Sequence, residues 1–355
     1  MKIRALEVLP RRFRLDAPVL TARGTWTERE GFRLRLTLDD GRVAWGEATP
    51  LPLFGTELLE DAWRLLSSAK AHVDGRSLPR TLEALDAWVS RLIPSQAPAS
   101  RYAVELALLD ALAQLRGEPL AKLLAPESVA SIPVNALLSA EAPEALAEEA
   151  GRAVGEGFQT LKVKLLGLEP AAQAARLEAV RRRVGTSIKL RVDANGMWAV
   201  EEARHQLTAL LPAGLELCEQ PVAAGDWAGW RLLHEERLCP LAADESMRDE
   251  HLGSELGSVD ILVLKPTVLG GLLPCLRQAK RGEPRPCLVT HALEGAVARA
   301  GAVQLAAVLA RPGGFAFGVS LSRAADEDVE TAGFAVHRGI ITLPTVPGLG
   351  FVGAA

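Results

Sequence analysis

From about Ser131 onward the chain alternates short aliphatic or β-branched runs with Ala- and Leu-rich stretches of helical spacing, and this rhythm constrains the fold more than any other feature. The runs lie at 132–138, 160–165, 188–192, 215–218, 240–243, 260–264, 286–290 and 314–318. Eight such strands, each followed by a crossover segment, are expected to close into a parallel barrel. Ahead of them, residues 1 to 55 alternate apolar with charged positions, as in Phe32-Arg33-Leu34-Arg35-Leu36, and carry the turn signal Asp39-Asp40-Gly41. That predicts an antiparallel meander. Helical spacing follows over 57–92, then a Pro-rich break at 94–98 and a further helix over 100–116. The fold class is therefore α/β: a modified TIM barrel, (β/α)7β, over 126–325, with an α+β capping domain over 1–125 and a tail over 326–355. The strand-like tail segment 339–344 is expected to return to the N-terminal sheet.

Active sites of such barrels lie at the carboxyl ends of the strands, so charged residues there carry the functional information. The second strand ends Lys162-Val163-Lys164, the third Asp193-Ala194-Asn195-Gly196, the fourth Cys218-Glu219-Gln220-Pro221, the fifth Asp244-Glu245-Ser246 and the sixth Lys265-Pro266. Any one acid alone reads equally well as a helix cap or a surface ion pair. Asp193, Glu219 and Asp244 on three successive strands would repel one another unless a cation joined them. Hard oxygen donors with room for water and substrate suit Mg²⁺, with Mn²⁺ as a substitute. Strand alternation turns Lys162 and Lys164 to the same side. Two such ammoniums depress each other's pKa, which would make one a base near neutrality. A metal with cationic donors is what removal of a proton next to a carboxylate requires, because the product carries two negative charges.

The net charge of −4 gives no reason to expect nucleic acid or an anionic membrane as partner, and a small carboxylate is the expected ligand. Cys218, Cys239, Cys275 and Cys287 lack metal-type spacing and read as reduced core residues. With neither a signal-peptide pattern nor a spanning apolar segment in the sequence, a cytoplasmic protein is expected. Gly270-Gly271 and Gly313-Gly314 make only a weak phosphate cradle.

The ordered set KVK, DANG, CEQP, DES and LKPTVLGG resembles the enolase superfamily, in its muconate-lactonizing subgroup, over nearly the whole chain. The resemblance implies that Lys164 is the acid/base catalyst and that Lys162 binds the substrate carboxylate. Lys265 stabilises charge on the opposite face, and Asp193, Glu219 and Asp244 hold Mg²⁺, with Asn195 and Glu245 supporting those ligands. The segment Gly46-Glu47-Ala48-Thr49-Pro50-Leu51-Pro52, Arg29-Glu30-Gly31 and the lack of an Asp-x-Asp at the eighth strand are most similar to the o-succinylbenzoate synthase family. That implies loss of water from a succinyl-hydroxycyclohexadiene carboxylate on the route to menaquinone. N-succinylamino acid racemases and muconate cycloisomerases are the alternatives, and a non-catalytic binding barrel a more distant one. At the seventh strand Thr290-His291-Ala292-Leu293-Glu294-Gly295 replaces the serine-rich segment of those synthases. His291, Ala292 and Leu293 are read as lining the substrate pocket, with proton transfer by His291 left open. Glu294 is read as an acid at a helix start, stabilised by the helix dipole. The loops at 21–31 and 53–57 are expected to close over the barrel mouth.

Overall fold

The computed structural model describes residues 1–21, 24–319 and 334–351. Strands β1 (Ile3–Thr21), β2 (Gly24–Leu38) and β3 (Val43–Ala48) form an antiparallel sheet, with the turn at Asp39-Asp40-Gly41 where the sequence places it. Helices α1 (Leu59–Val73), α2 (Leu82–Leu92), α3 (Pro98–Arg116) and α4 (Leu120–Leu124) follow. Thr81 caps α2 through the Ala84 amide at 3.2 Å, while Pro98 opens α3 and left-handed Gly117 ends it. Gly46 lets β3 lie directly on α3, since a Cβ there would run into the Ala103 carbonyl.

A seven-stranded parallel sheet comes next. Its strands are β5 (Ala136–Leu138), β6 (Thr160–Lys164), β7 (Lys189–Asp193), β8 (Leu215–Glu219), β9 (Leu241–Ala243), β10 (Ile261–Leu264) and β11 (Cys287–Val289), in chain order across the sheet. The helices between them are α5 (Pro143–Gly155), α6 (Pro170–Val184), α7 (Val200–Leu210), α8 (Trp227–Glu236), α9 (Leu252–Glu255), α10 (Pro266–Leu269) and α11 (Leu272–Gly282), with α12 (Ala296–Leu309) after β11. The predicted run 132–138 is two strands, because Val134 leaves the line to bridge Phe317 and divides β5 from a separate β4 (Ser131–Pro133). The predicted eighth strand is reduced to two parallel bridges, Val134 to Phe317 and Thr290 to Gly318. These join the first stave to the seventh and close the ring.

Alternation sorts the barrel residues into two cores. Leu217, Ala242, Ile261, Val263 and Leu288 pack inside the ring against Phe315. Val163, Val192, Cys218, Leu241 and Leu264 face outward into the large core beneath the helices. All four cysteines are free. No helix among the described residues is long and apolar enough to cross a membrane.

The tail does not join the N-terminal sheet as expected. Its strands β12 (Val336–His337) and β13 (Ile340–Thr342) make a small antiparallel sheet with β4. Beyond it the chain does reach the N-terminal helices: Gly348 donates to the Glu118 carbonyl and accepts from the Leu120 amide at the start of α4, and the Leu349 amide donates to Asp110 of α3 at 2.7 Å.

Candidate active site

Register brings the strand-end residues together. Lys164 of β6 pairs with Asp193 of β7, Asp193 pairs with Glu219 of β8, and Glu219 pairs with Ala242 of β9, two residues before Asp244. A step of two returns to the same face, so Lys162, Lys164, Asp193, Glu219 and Asp244 share the inner side of the barrel mouth. β6 and β10 stand four places apart in a ring of eight, which puts Lys265, just after β10, across the barrel from Lys162 and Lys164.

The Lys162 ammonium lies 2.8 Å from Asp193 and 2.7 Å from Glu219, and Lys265 donates to Asp244. The expected depression of a lysine pKa does not hold for Lys162. Burial would lower it, but Asp193 and Glu219 outweigh burial and hold it charged. Lys265 is likewise held charged by Asp244, Glu245 and Glu219 against its own burial. Burial would raise Asp193, yet Lys162 keeps it below the usual carboxylate range. Glu219 is pushed up to about 7 by burial, with Asp193 and Asp244 adding repulsion. Asp244 is raised to about 6, chiefly by burial. The Lys164 ammonium has no ion-pair partner among the described residues.

Among the described residues no group of three or more His, Cys, Asp and Glu is drawn close enough to cage a metal; the two ammoniums take up the carboxylate oxygens instead. The donor set nevertheless fits a hard cation. Three buried carboxylates on adjoining strands carry more negative charge than burial tolerates without a cation, and two of them already share one positive nitrogen. Asn195, left-handed at φ 46°, donates its backbone amide to Asp193 at 3.0 Å and its side chain lies 3.5 Å from Glu245. The other Glu245 oxygen is buried with no hydrogen-bond partner among the described residues.

Gln220 went unremarked in the sequence beyond its place in a motif. It is fully buried and its amide is saturated: Oε1 accepts from the Asp244 and Ser246 amides at 3.0 and 3.2 Å, and Nε2 donates to Val222 O and Ser246 Oγ, each at 2.8 Å. This locks the ends of β8 and β9, and with them Glu219 and Asp244, in mutual position. Only its adjacency to an acid at a strand end could have flagged it.

The N-terminal part reaches the mouth. The ring of Phe54 lies over the Lys265 ammonium at 4.9 Å, and Arg248, just after β9, donates to the carbonyls of Phe54 and Gly55. The segment 53–57 therefore covers the mouth as expected. Residues 24–31 are not a loop but the start of β2, which continues the hairpin with β1; residues 22–23 lie outside the described residues. Arg29 from that hairpin is buried and donates to the carbonyls of Thr49, Pro50 and Leu293 at 3.2, 2.8 and 3.4 Å. Burial lowers its pKa to about 10.

After β11 the chain turns at Leu293, left-handed at φ 58°. The His291 ring accepts the Leu293 amide on Nδ1 at 3.2 Å, and Ala292 is buried beside it. Burial, then Arg299, Lys265 and Lys162, push the His291 pKa well down. Glu294 does not act as the acid at the start of α12. Its carboxylate turns back to the Ala292 amide, and Glu47 of β3 takes the helix end, accepting from Gly295 and Val297 at 2.6 and 3.0 Å. Glu105 of α3 similarly occupies the start of α11 through Leu272 and Leu273, so Gly270-Gly271 is no phosphate cradle.

Residues 145–353 match the Enolase C-terminal domain-like family. The L-Ala-D/L-Glu epimerase of Bacillus subtilis is 32% identical over 367 residues, covering 100% of this chain and 98% of that protein. Its substrate-liganded structure superposes with a TM-score of 0.89 over the whole of both chains, at 29% identity. The o-succinylbenzoate synthase of Geobacillus kaustophilus is 28% identical over 95% of this chain and 90% of its own length. A dipeptide epimerase from Methylococcus capsulatus, solved with Mg and the dipeptide L-Arg-D-Lys, superposes with a TM-score of 0.88 at 27% identity, covering 99% of this chain and all of that one. Fold and comparisons thus define an enzyme of the β/α-barrel class, and the chain belongs to the enolase superfamily. Within it, the relatives are dipeptide epimerases, racemases and o-succinylbenzoate synthases.

Proposed function

We propose that this chain is a Mg²⁺-dependent o-succinylbenzoate synthase, a carbon–oxygen lyase of menaquinone biosynthesis. Asp193, Glu219 and Asp244 would hold the metal, as the Mg-bound dipeptide epimerase structure encourages, and the metal when bound supplies positive charge to the substrate carboxylate. Lys162, close to two of these acids, positions that carboxylate. Lys164 takes the α-proton, and because a proton and hydroxyl leaving one face need only one base, it returns the proton to the departing hydroxyl. Lys265 neutralises charge from the opposite wall. Residues 1–125 are assigned to the cap, 126–325 to the barrel and 326–355 to the tail.

The observation that carries the substrate choice is the closing segment Phe315-Ala316-Phe317-Gly318-Val319, which contains no acid. A dipeptide's free ammonium would need a carboxylate there, so a substrate without one fits better. A second reading, racemisation of an N-acylamino acid, is favoured by Lys265 standing across the mouth from Lys164, as a second base would. Incubation of the purified protein and Mg²⁺ with succinyl-hydroxycyclohexadiene carboxylate should give o-succinylbenzoate. No product there, with racemisation of N-succinylamino acids instead, would decide for the second reading.

A further inference from the structure

We propose that His291 is a specificity-determining residue that presents its Nε2–H as a fixed donor to a carbonyl or carboxylate oxygen of the substrate, at the end remote from the acids. The inference rests on the function proposed above and extends it to a residue whose role the family chemistry leaves open.

A backbone N–H can only donate, so the 3.2 Å contact from the Leu293 amide makes Nδ1 an acceptor. In the neutral ring the proton must then sit on Nε2. The turn that enforces this is held from several sides. Leu293 is left-handed, its carbonyl accepts from Arg29, the His291 amide lies 3.3 Å from the Gly318 carbonyl, and Arg299 donates to the Glu294 carbonyl at 2.7 Å. No described residue accepts from Nε2, although the ring is only half-buried at the end of the seventh stave. The charges acting on the ring are those of Arg299, Lys265 and Lys162, and they disfavour a second proton on it. A donor that stays neutral at a cationic wall selects an oxygen acceptor by hydrogen bonding and rejects an ammonium, which can only donate.

The two ring nitrogens can be separated by substitution, because an Asn side chain overlays Nδ1 and a Gln side chain reaches Nε2. His291→Asn, which keeps the turn but loses the donor, should raise KM about tenfold or more with a smaller change in kcat, and His291→Gln, which puts a donor back near the place of Nε2, should recover part of that loss. Wild-type behaviour of His291→Asn alongside a failing His291→Gln would mean the ring serves only the turn, and would overturn the proposal. Independently of turnover, ¹⁵N spectra of the whole protein should show the Nε2–H form from pH 6 to 8, with its proton moving downfield on adding Mg²⁺ with o-succinylbenzoate or with an N-succinylamino acid. An Nδ1–H ring, or an Nε2–H signal unmoved by either ligand, would refute it. A response to the N-succinylamino acid in a protein that forms no o-succinylbenzoate would sink the dehydration reading and leave this one standing.

Discussion

Two lysines two residues apart on the same strand face have different surroundings: two carboxylates clasp Lys162, and none among the described residues clasps Lys164. With no carboxylate among the described residues occupying its nitrogen, Lys164 is the one of the two given the proton-transfer role in the proposed mechanism. Lys164→Ala should abolish both elimination and exchange of the α-proton with solvent deuterium. Lys265→Ala should slow elimination by roughly 10²–10³-fold, the cost of losing one oxyanion donor, yet retain exchange. Exchange on an analogue that cannot eliminate separates the two, and the opposite pattern would reverse the assignment. Glu105 offers a pH test away from the mouth. Burial raises its pKa from 4.5 to about 8 despite the Leu272 and Leu273 amides. The folded state therefore holds a proton that the unfolded state has released, and Glu105 lowers stability progressively as pH rises from about 4.5 to 8. Urea midpoints should fall over that range, by an energy on the order of a few kcal/mol, and fall less in Glu105→Gln. An equal fall in both proteins would clear Glu105 of responsibility.

At the scale of elements, the turn Pro52–Phe54 is held to the barrel by the Arg248 guanidinium, and left-handed Gly55 leaves room for it, since a Cβ at Gly55 would occupy the place of that side chain. Arg248→Ala should release the turn, uncover Lys265 and raise KM about tenfold, with metal affinity unchanged and partial recovery in Arg248→Lys. A metal titration alongside steady-state rates would expose a general loss of structure instead. This contact also shows where reading from sequence stops. The strand ends were legible because a period of two and a following Gly or Pro are local signals, and they place Lys164, Asp193 and Glu219 in register. Phe54 over Lys265, or Glu47 on a helix 248 residues further along, depends on where two distant elements dock. Glu294 departs from its local pattern for the same reason: a local acid at a helix start is the default, and a remote one, Glu47, displaces it. The tail strand was recognisable by composition, but its partner β4 was hidden, since edge strands with free hydrogen-bonding groups look alike in sequence.

On the scale of the whole molecule, the N-terminal part and the barrel are tied by two acids crossing between them, Glu47 to α12 and Glu105 to α11, and by Tyr102 of α3, whose hydroxyl donates to the Ala298 carbonyl at 2.6 Å. Removing these partners would strand helix ends and buried carboxylates together, so cap and barrel should unfold as one. Calorimetry should show a single transition rather than two, and two resolved peaks would mean the units are independently stable. The grip of Asp110 on Leu349 adds a constraint in time. Those residues lie 239 positions apart, so during synthesis α3 is made with the Trp45 and Gln114 donors to its buried acid long before the third, the Leu349 amide. An N-terminal part made ahead of the barrel therefore lacks one of its three grips on Asp110 until the segment around Leu349 follows, and transiently uncovered apolar surface over that interval is where association with other chains is most favoured.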